Sequence, residues 1–265
     1  MADQSVDEDS AFSFTVPTDT FNDEDGDTLT YTATLTDGSA LPSWLSFDAA
    51  TQTFSGTPEN DDVGVITVKV TATDAADVTI NDTFTLTVVN TNDAPTLINA
   101  MADQSIDEDS AFSFTVPPDT FNDEDDDILS YIATLADGSS LPSWLSFDAA
   151  TQTFSGTPEN DDVGVITVKV TATDAADVTI DDTFALTVVN INDAPTAIAL
   201  SSLGVPEKID GAVVGILTTS DVDADDSHTY TVSDDRFEVV NSQLKLKAGN
   251  TVEYDTETTI TLTVN

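Results

Sequence analysis

The chain has 265 residues, of which 50 are acidic and six are basic, and its formal net charge is −44 at pH 7. A surface this negative repels nucleic acid and anionic membranes, so cations are the predicted partners and nucleic acid is not. The chain has no cysteine and one histidine, which excludes disulfides, the usual zinc sites and the usual nucleophilic triads. No carboxylate stands apart from its many neighbours as a glycosidase would require. We therefore predict that the chain is not an enzyme.

Two nearly identical repeats occupy most of the chain. Residues 1–96 align without a gap with residues 101–196 and differ at eleven positions, 6, 18, 26, 28, 30, 32, 36, 40, 81, 85 and 91. A period of this length fits a complete small domain. The sequence therefore predicts three units, at residues 1–93, 94–193 and 194–265, of which the third shares the plan of the others but not their sequence.

The outer two units are expected to be incomplete. Met1 corresponds to Met101, which lies inside the second repeat, so the first unit should lack its opening strand. The stretch ETTITLTVN at residues 257–265 matches the strand VITVKVTAT of the earlier repeats, and nothing after it corresponds to DTFTLTVVN. The chain is therefore expected to be a fragment of a longer repetitive protein.

Hydrophobic residues alternate with polar ones in each repeat, which is the pattern of a β-strand with one buried face. Along the first repeat this pattern marks LTYTATL at residues 29–35, the hairpin SFDAATQTFSG at 46–56, VITVKVTAT at 65–73 and DTFTLTVV at 82–89. The predicted inward-facing residues are Leu29, Tyr31, Ala33, Leu35, Ile66, Val68, Val70, Ala72, Phe84, Leu86 and Val88. About seven strands per repeat and no helical stripe predict an all-β fold of tandem antiparallel β-sandwiches.

Aspartate is concentrated in the turns between these strands. Only ten of the 50 acids are glutamate, and the polar strand faces carry mostly threonine and serine. Short carboxylates in turns are typical of loops that bind hard cations such as Ca²⁺, whereas an acidic coat would spread charge over the strand faces as well. We therefore favour calcium binding over a solvated acidic coat as the role of these aspartates. The loop DEDGD at residues 23–27 does not fit an EF-hand, because threonines stand where its glycine and its glutamate belong.

Several ordered motifs together resemble a known family. The linker NDAPT, the loop DEDGDTLTY and the segments LPSWLSFD, FSGTP and TATD resemble the dystroglycan-type cadherin-like domains of large bacterial surface proteins. The third unit, with VPEKIDGAVVG, DADD and VEYD, is similar to a bacterial cadherin repeat. The resemblance covers essentially the whole chain and implies Ig-like or cadherin-like β-sandwiches of about seven strands each.

Cadherins bind calcium between successive repeats, so the resemblance implies a set of ligands at each junction. At the first junction the set is Glu8, Glu59, Asn90, Asn92, Asp93, Asp123, Asp125 and Asp174. At the second junction the set is Glu108, Glu159, Asn190, Asn192, Asp193, Asp223 and Asp225. Both linkers begin with asparagine where cadherin linkers usually have aspartate, so about one or two ions per junction are expected.

The resemblance implies calcium-binding extender or adhesion repeats of a large protein on the bacterial cell surface, made rigid by Ca²⁺ at their junctions. Their partners would be calcium ions and neighbouring repeats of the same chain. The alternative is a module that binds polysaccharide, or a like repeat on another cell, in a calcium-dependent way. Near-identity of the first two repeats favours spacing over specific recognition, because an array of spacers gains from copies.

Two residue types suggest other roles. Trp44 and Trp144 could be platforms for sugar rings, but a core role is favoured because the third unit has no tryptophan at the corresponding place. Lys69 and Lys169, the only basic residues of the first two repeats, suggest an intramolecular isopeptide bond. Both lysines lie on the threonine face of their strand, so an exposed position is favoured instead.

Overall fold

The regular structure of the chain is made of β-strands. The structure is a computed structural model that describes residues 1–223, 225–257 and 259–265. The helical elements among these residues are two single 3₁₀ turns, Asn60–Asp62 and Asn160–Asp162. The prediction of an all-β fold is confirmed. Within the described ranges, no helix has the length and apolar character needed to cross a membrane.

The described residues divide into two compact units. The first consists of Met1–Met101, Val116–Ala133 and Lys169–Thr183, and the second consists of Ala102–Thr115, Thr134–Val168 and Phe184–Asn265. The boundaries at residues 93 and 193, which come from the sequence repeats, stay predictions.

The first repeat consists of seven strands in two sheets. The strands are β1 (Gln4–Asp7), β2 (Phe12–Thr15), β3 (Thr30–Leu35), β4 (Leu45–Asp48), β5 (Thr53–Gly56), β6 (Gly64–Thr73) and β7 (Thr79–Val89). One sheet has the order β1-β7-β6-β3 and the other has the order β2-β5-β4. The pairs are antiparallel except that β1 runs parallel to β7, with Asp7 opposite Val89. The parallel pair brings the residue that follows β1 beside the end of β7, where the linker begins.

The second repeat has corresponding strands and one additional pair. Its strands are β8 (Thr96–Leu97), β9 (Gln104–Asp107), β10 (Phe112–Thr115), β11 (Phe121–Asn122), β12 (Ser130–Leu135), β13 (Leu145–Asp148), β14 (Thr153–Gly156), β15 (Gly164–Thr173) and β16 (Thr179–Val189). The sheet orders are β12-β15-β16-β9 and β10-β14-β13, and β8 pairs with β11 in a separate two-stranded sheet. The additional pair connects the linker to the loop that is predicted to bind calcium.

The last part of the chain contains a four-stranded sheet. Its strands are β17 (Ala197–Leu200), β18 (Val213–Ser220), β19 (Phe237–Val240) and β20 (Gln243–Leu246), in the order β17-β18-β20-β19. Phe237, Leu244 and Leu246 are buried in its core. Of the strand predicted at 257–265, the described residues contain a single bridge between Val264 and Val232, and Thr258 lies outside the described residues.

The core of the first repeat follows the predicted alternation. The predicted inward-facing residues that are buried are Val68, Val70, Ala72, Phe84, Leu86 and Val88. The rings of Phe54 and Phe84 are fully buried and meet edge to face, with their centroids 5.4 Å apart. Burial of each such side chain contributes roughly 2–3 kcal/mol. Trp44 is partly buried and packs against this core, so it is not a free platform for a sugar ring.

Gly56 in β5 lies against the main chain of Trp44, and a Cβ atom at Gly56 would come within 1.9 Å of the carbonyl oxygen of Trp44. We therefore expect Gly56→Ala to lower the free energy of unfolding by at least about 2 kcal/mol, because the added methyl group would overpack this part of the core. Urea denaturation followed by tryptophan fluorescence measures the change. Gly204→Ala is the control, because a Cβ atom there meets nothing within 4 Å and should change the free energy by at most about 0.5 kcal/mol. Equal unfolding midpoints for the two variants would contradict this packing.

Candidate metal centre

Glu8 is a buried acid at the end of β1, with 1% of its surface exposed. Its backbone N–H donates to the carbonyl oxygen of Val89 at 3.0 Å, which continues the parallel pairing with β7. Its Oε1 accepts a hydrogen bond from the backbone N–H of Thr91 at 2.6 Å, so Glu8 holds the first residues of the linker. Its Oε2 is buried and has no hydrogen-bond partner among the described residues. A bound cation would satisfy this second oxygen.

The loop that follows β11 is wound around its first carboxylate. Asp123 Oδ1 accepts hydrogen bonds from the backbone N–H groups of Asp125 at 3.1 Å and Asp127 at 3.3 Å. Asp126 has a φ of 57°, and Gly26 has a φ of 80° at the equivalent position of the first repeat. Glycine adopts this left-handed conformation freely and aspartate tolerates it, so the exchange of one residue for the other preserves the loop.

The linker is hydrogen-bonded to acids of this loop and of the turn that follows β15. The backbone N–H of Asp93 donates to Asp125 Oδ2 at 2.7 Å. The Nδ2 of Asn92 donates to Asp174 Oδ2 at 3.0 Å. The pair β8–β11 continues the contact beyond Pro95. The linker therefore has a defined position over the acids of the second repeat.

Three acids from three segments of the chain meet at this point, all within the first compact unit. Glu8, Asp93 and Asp125 each offer a carboxylate oxygen that lies within 4.8 Å of the other two. Asp125 Oδ1 and Asp123 Oδ2 are buried without a hydrogen-bond partner among the described residues, as Glu8 Oε2 is. At an effective dielectric constant of about 20, two unit charges about 5 Å apart repel by roughly 3 kcal/mol. The group is therefore one that a divalent cation would stabilise.

The crowding of charge raises the pKa of two acids. The pKa of Asp93 lies above its usual value because the side chain loses contact with water and because the charges of Asp125 and Asp9 are close. The pKa of Glu124 is raised mainly by the charge of Asp93. Asp9 was not among the predicted ligands, although it belongs to the acidic run VDED that suggested Glu8. Both shifts indicate that this end of the repeat favours positive charge.

A second acidic group follows the same plan within the second compact unit. Glu108 is 2% exposed, and its Oε1 accepts a hydrogen bond from the backbone N–H of Ile191 at 2.8 Å. The backbone N–H of Asp193 donates to Asp223 Oδ2 at 2.5 Å. This bond is equivalent to the one from Asp93 to Asp125, which joins linker and loop at the first site. Glu108 Oε2 is again buried without a hydrogen-bond partner in the described part of the chain.

Asp221 is a site residue that the sequence-based prediction did not include. Asp221, Asp223 and Asp226 each offer an oxygen within 4.8 Å of the other two, and Asp221 Oδ1 accepts a hydrogen bond from the N–H of Asp223 at 3.1 Å. The predicted ligand Asp225 is exposed. The run DVDAD contains an aspartate pair at 221 and 223 and another at 223 and 225. In the first group the site acids are the first and third residues of the loop, Asp123 and Asp125. The same rule, applied from the first acid of DVDAD, selects Asp221 and Asp223.

Some predicted ligands lie outside these two groups of acids. Glu59, Asn90, Glu159 and Asn192 are exposed. The Nδ2 of Asn190 donates to Asp223 Oδ1 at 2.8 Å, so this side chain contacts the second group through its amide nitrogen. These five residues stay predicted ligands, as do Asn92 and Asp174, which are hydrogen-bonded to each other.

A family model and proteins named as adhesins match the sequence of this chain. A family model described as “Putative Ig domain” matches residues 1–89 and 94–189. A serine-rich adhesin for platelets from Staphylococcus aureus is 39% identical over 152 residues, which are 57% of this chain and 6% of that protein. The protein of the same name from strain USA300 is 38% identical over 152 residues and is covered to the same 6%. The chain thus corresponds to a small part of these relatives.

Solved structures of similar fold include cadherin repeats. Protocadherin Gamma B7 extracellular cadherin domains 1-4 align with 96% of this chain and 68% of that one, with 15% identity and a TM-score of 0.56. Human CDH23 EC21-23 aligns with 86% of this chain and 80% of that one, with 17% identity and a TM-score of 0.56. At these identities the likeness confirms the cadherin-like fold alone, and the resemblance to the dystroglycan type stays a prediction. By the match of the family model to most of its length, the chain belongs to the family described as “Putative Ig domain”.

Proposed function

We propose that the chain is a series of calcium-binding adhesion repeats from a bacterial cell-surface protein, in which Ca²⁺ fixes each linker to the repeat that follows. The similarity to staphylococcal adhesins supports the adhesive and extracellular parts of this proposal. The observation that carries the calcium part is the buried Glu8 Oε2, which has no hydrogen-bond partner among the described residues and belongs to a group of three acids. The predicted division into three units is part of the proposal.

The donor atoms around the first linker suit calcium better than other common ions. Glu8, Asp93 and Asp125 would be the central ligands, and Asp123 Oδ2 would add a further oxygen. Calcium accepts six to eight carboxylate, amide and carbonyl oxygens in a flexible arrangement, whereas Mg²⁺ requires a small octahedral shell and keeps its water. An ion here would neutralise the mutual repulsion of the acids and hold the linker against the loop.

The second site would use the equivalent residues. Glu108, Asp193 and Asp223 take the places of the three central acids, and Asp221 takes the place of Asp123. Two sets of ligands are completed by outer residues that would turn to the ion when it binds: Glu59, Asn90, Asn92, Asp174, Glu159, Asn190, Asn192 and Asp225. The role of the site is structural, since it joins neighbouring repeats.

Direct recognition of polysaccharide, or of a like repeat on another cell, is the less supported alternative. The partly buried Trp44, which would be the natural sugar platform, packs against the core of the first repeat. We therefore place the calcium sites, and not a glycan surface, at the centre of the proposed function.

We expect calcium to raise the melting temperature of the chain, because an ion that binds only the folded form stabilises it. Extracellular modules bind calcium with a Kd of about 10⁻⁴ to 10⁻³ M, so about 10 mM calcium should add roughly 1.4–2.7 kcal/mol per site. The measurement is a melting curve in chelator, in calcium, in magnesium and in sodium chloride of matched ionic strength. Asp93→Ala combined with Asp193→Ala should remove most of the gain.

The matched control for that double variant is Asp181→Asn, which gives the second repeat the residue that the first has at Asn81. Asp181 is an exposed acid whose ion pair with Lys169, at 3.4 Å, is worth little. Asp181→Asn should keep the full calcium response. A response to sodium chloride as large as the response to calcium would mean that the acids form a solvated coat.

Glu8→Gln should change stability in opposite directions with and without calcium. In chelator the variant should be more stable than the parent, because one repelling charge is gone while Gln can still accept the hydrogen bond from Thr91. In calcium the variant should be less stable, because a ligand is lost. Urea denaturation in both buffers measures the two differences. Asp181→Asn removes the same charge and should show no reversal of sign, and the absence of a reversal for Glu8→Gln would refute its role as a ligand.

A further inference from the structure

His228, the only histidine of the chain, lies beside the acids of the second group. Its Nε2 is 3.7 Å from Asp221 Oδ2, and the side chain of Asp221 is 4% exposed. This distance is too long for a hydrogen bond, and Asp221 Oδ2 has no hydrogen-bond partner among the described residues. A ring nitrogen and a buried carboxylate oxygen therefore lie close together with no hydrogen bond between them.

The unpartnered oxygen belongs to a group of three acids within the second compact unit. Asp221, Asp223 and Asp226 each offer an oxygen within 4.8 Å of the other two. Asp221 Oδ1 accepts a hydrogen bond from the N–H of Asp223 at 3.1 Å, and Oδ2 is the oxygen nearer to His228. Asp226 is exposed, and His228 lines a surface cavity of about 310 Å³. An ion can therefore reach both side chains from solvent.

The loops of the first two repeats have leucine where this loop has histidine. The segment HTY at residues 228–230 corresponds to LTY at 29–31 and to LSY at 129–131. The hydroxyl groups of Tyr230 and Thr219 are hydrogen-bonded at 2.7 Å, which anchors the chain two residues after His228. Because the chain has no other histidine, the second group combines carboxylates with an imidazole and the first group does not.

We propose that the second group of acids binds a transition-metal ion of the zinc class through His228 Nε2 and Asp221 Oδ2. Imidazole nitrogen suits zinc and its neighbours, whereas calcium takes oxygen ligands. Zinc holds nitrogen and carboxylate oxygen at about 2.1 Å, so two of its tetrahedral ligands lie roughly 3.4 Å apart. The observed separation of 3.7 Å is close to that value. The carboxylate of Asp226 would be the third ligand, and water would be the fourth.

A single histidine does not make the usual zinc site, which is rich in histidine and cysteine. Here carboxylates would supply the remaining protein ligands, and the ion would satisfy the buried Asp221 Oδ2. Zinc binding rests on the proposed function in one respect, because the second group is taken to be a cation site. Zinc would hold Asp221 in place of calcium, and the first group would stay a calcium site.

The test is an NMR titration of the full chain, prepared without a histidine tag, with zinc chloride. His228 is the only histidine, so its imidazole gives one set of signals that needs no assignment. We expect the Nε2 resonance to shift, to saturate at one zinc ion per chain, and to keep its shift in about 10 mM calcium chloride. An Nε2 resonance that zinc leaves unchanged, or that calcium returns to its metal-free position, would overturn the inference. His228 and Asp221 would then form only a weak ion pair.

His228→Leu tests the ligand with the residue that the chain already has at positions 29 and 129. In calorimetry this variant should bind zinc at least about tenfold more weakly, since loss of even an outer-shell partner of a metal ligand costs that much. Asp181→Asn should keep the zinc affinity of the parent. A melting curve in chelator checks that His228→Leu is folded, and the NMR titration of the unchanged chain decides the matter if it is not. Equal zinc affinities for the parent and a folded His228→Leu would contradict the assignment.

The two proposals fail separately. If calcium raises the melting temperature beyond the effect of sodium chloride while zinc leaves His228 unchanged, the zinc site is wrong and the calcium sites stand. If zinc shifts His228 at one ion per chain while calcium acts no better than sodium chloride, the calcium sites are wrong and the zinc site stands.

Discussion

The organisation of the linker depends on one buried carboxylate, that of Glu8 at the end of β1. A buried carboxylate is costly unless hydrogen bonds and an opposite charge compensate it. One oxygen of Glu8 accepts a hydrogen bond from the N–H of Thr91. The other oxygen has no hydrogen-bond partner in the described part of the chain. The Glu8 carboxylate lies close to those of Asp93 and Asp125. The hydrogen bond fixes where the linker leaves the first repeat, and the second oxygen leaves a need for positive charge. The parallel pairing of β1 with β7 makes this arrangement possible.

The position of the linker sets the structure beyond it. Once Asp93 is bonded to Asp125, the next residues run along the loop of the second repeat and form the pair β8–β11. The same plan recurs at Glu108 with a loop of different sequence, so the arrangement does not depend on the near-identity of the first two repeats. The buried acids of both groups lie where segments of the chain meet, in keeping with the excess of aspartate in turns and of threonine on strand faces.

The strands and the core could be predicted from the sequence, because alternation with a period of two specifies which face of a strand is buried. The parallel pairing of β1 could not, since four residues of alternating sequence do not reveal their partner. At the site, Glu8, Asp93 and Asp125 were predicted from the resemblance and are brought together. Asp221 was missed because a run of alternating aspartates offers two registers, and only the fold selects one. The exposure of Glu59 depends on how its turn directs the side chain, which spacing does not encode.

Hydrogen exchange at the linker amides tests most directly whether a cation holds the linker. The N–H groups of Thr91 and Asp93 are bonded to the carboxylates of the first site, so they can exchange only when those bonds open. If opening requires release of calcium, exchange at a calcium concentration ten times the Kd should be about tenfold slower than in chelator. The amide of an exposed turn residue in the hairpin between β4 and β5, such as Ala49, should not change. Equal exchange rates at Thr91 and Asp93 in calcium and in chelator, or equal slowing by sodium chloride of matched ionic strength, would contradict the account.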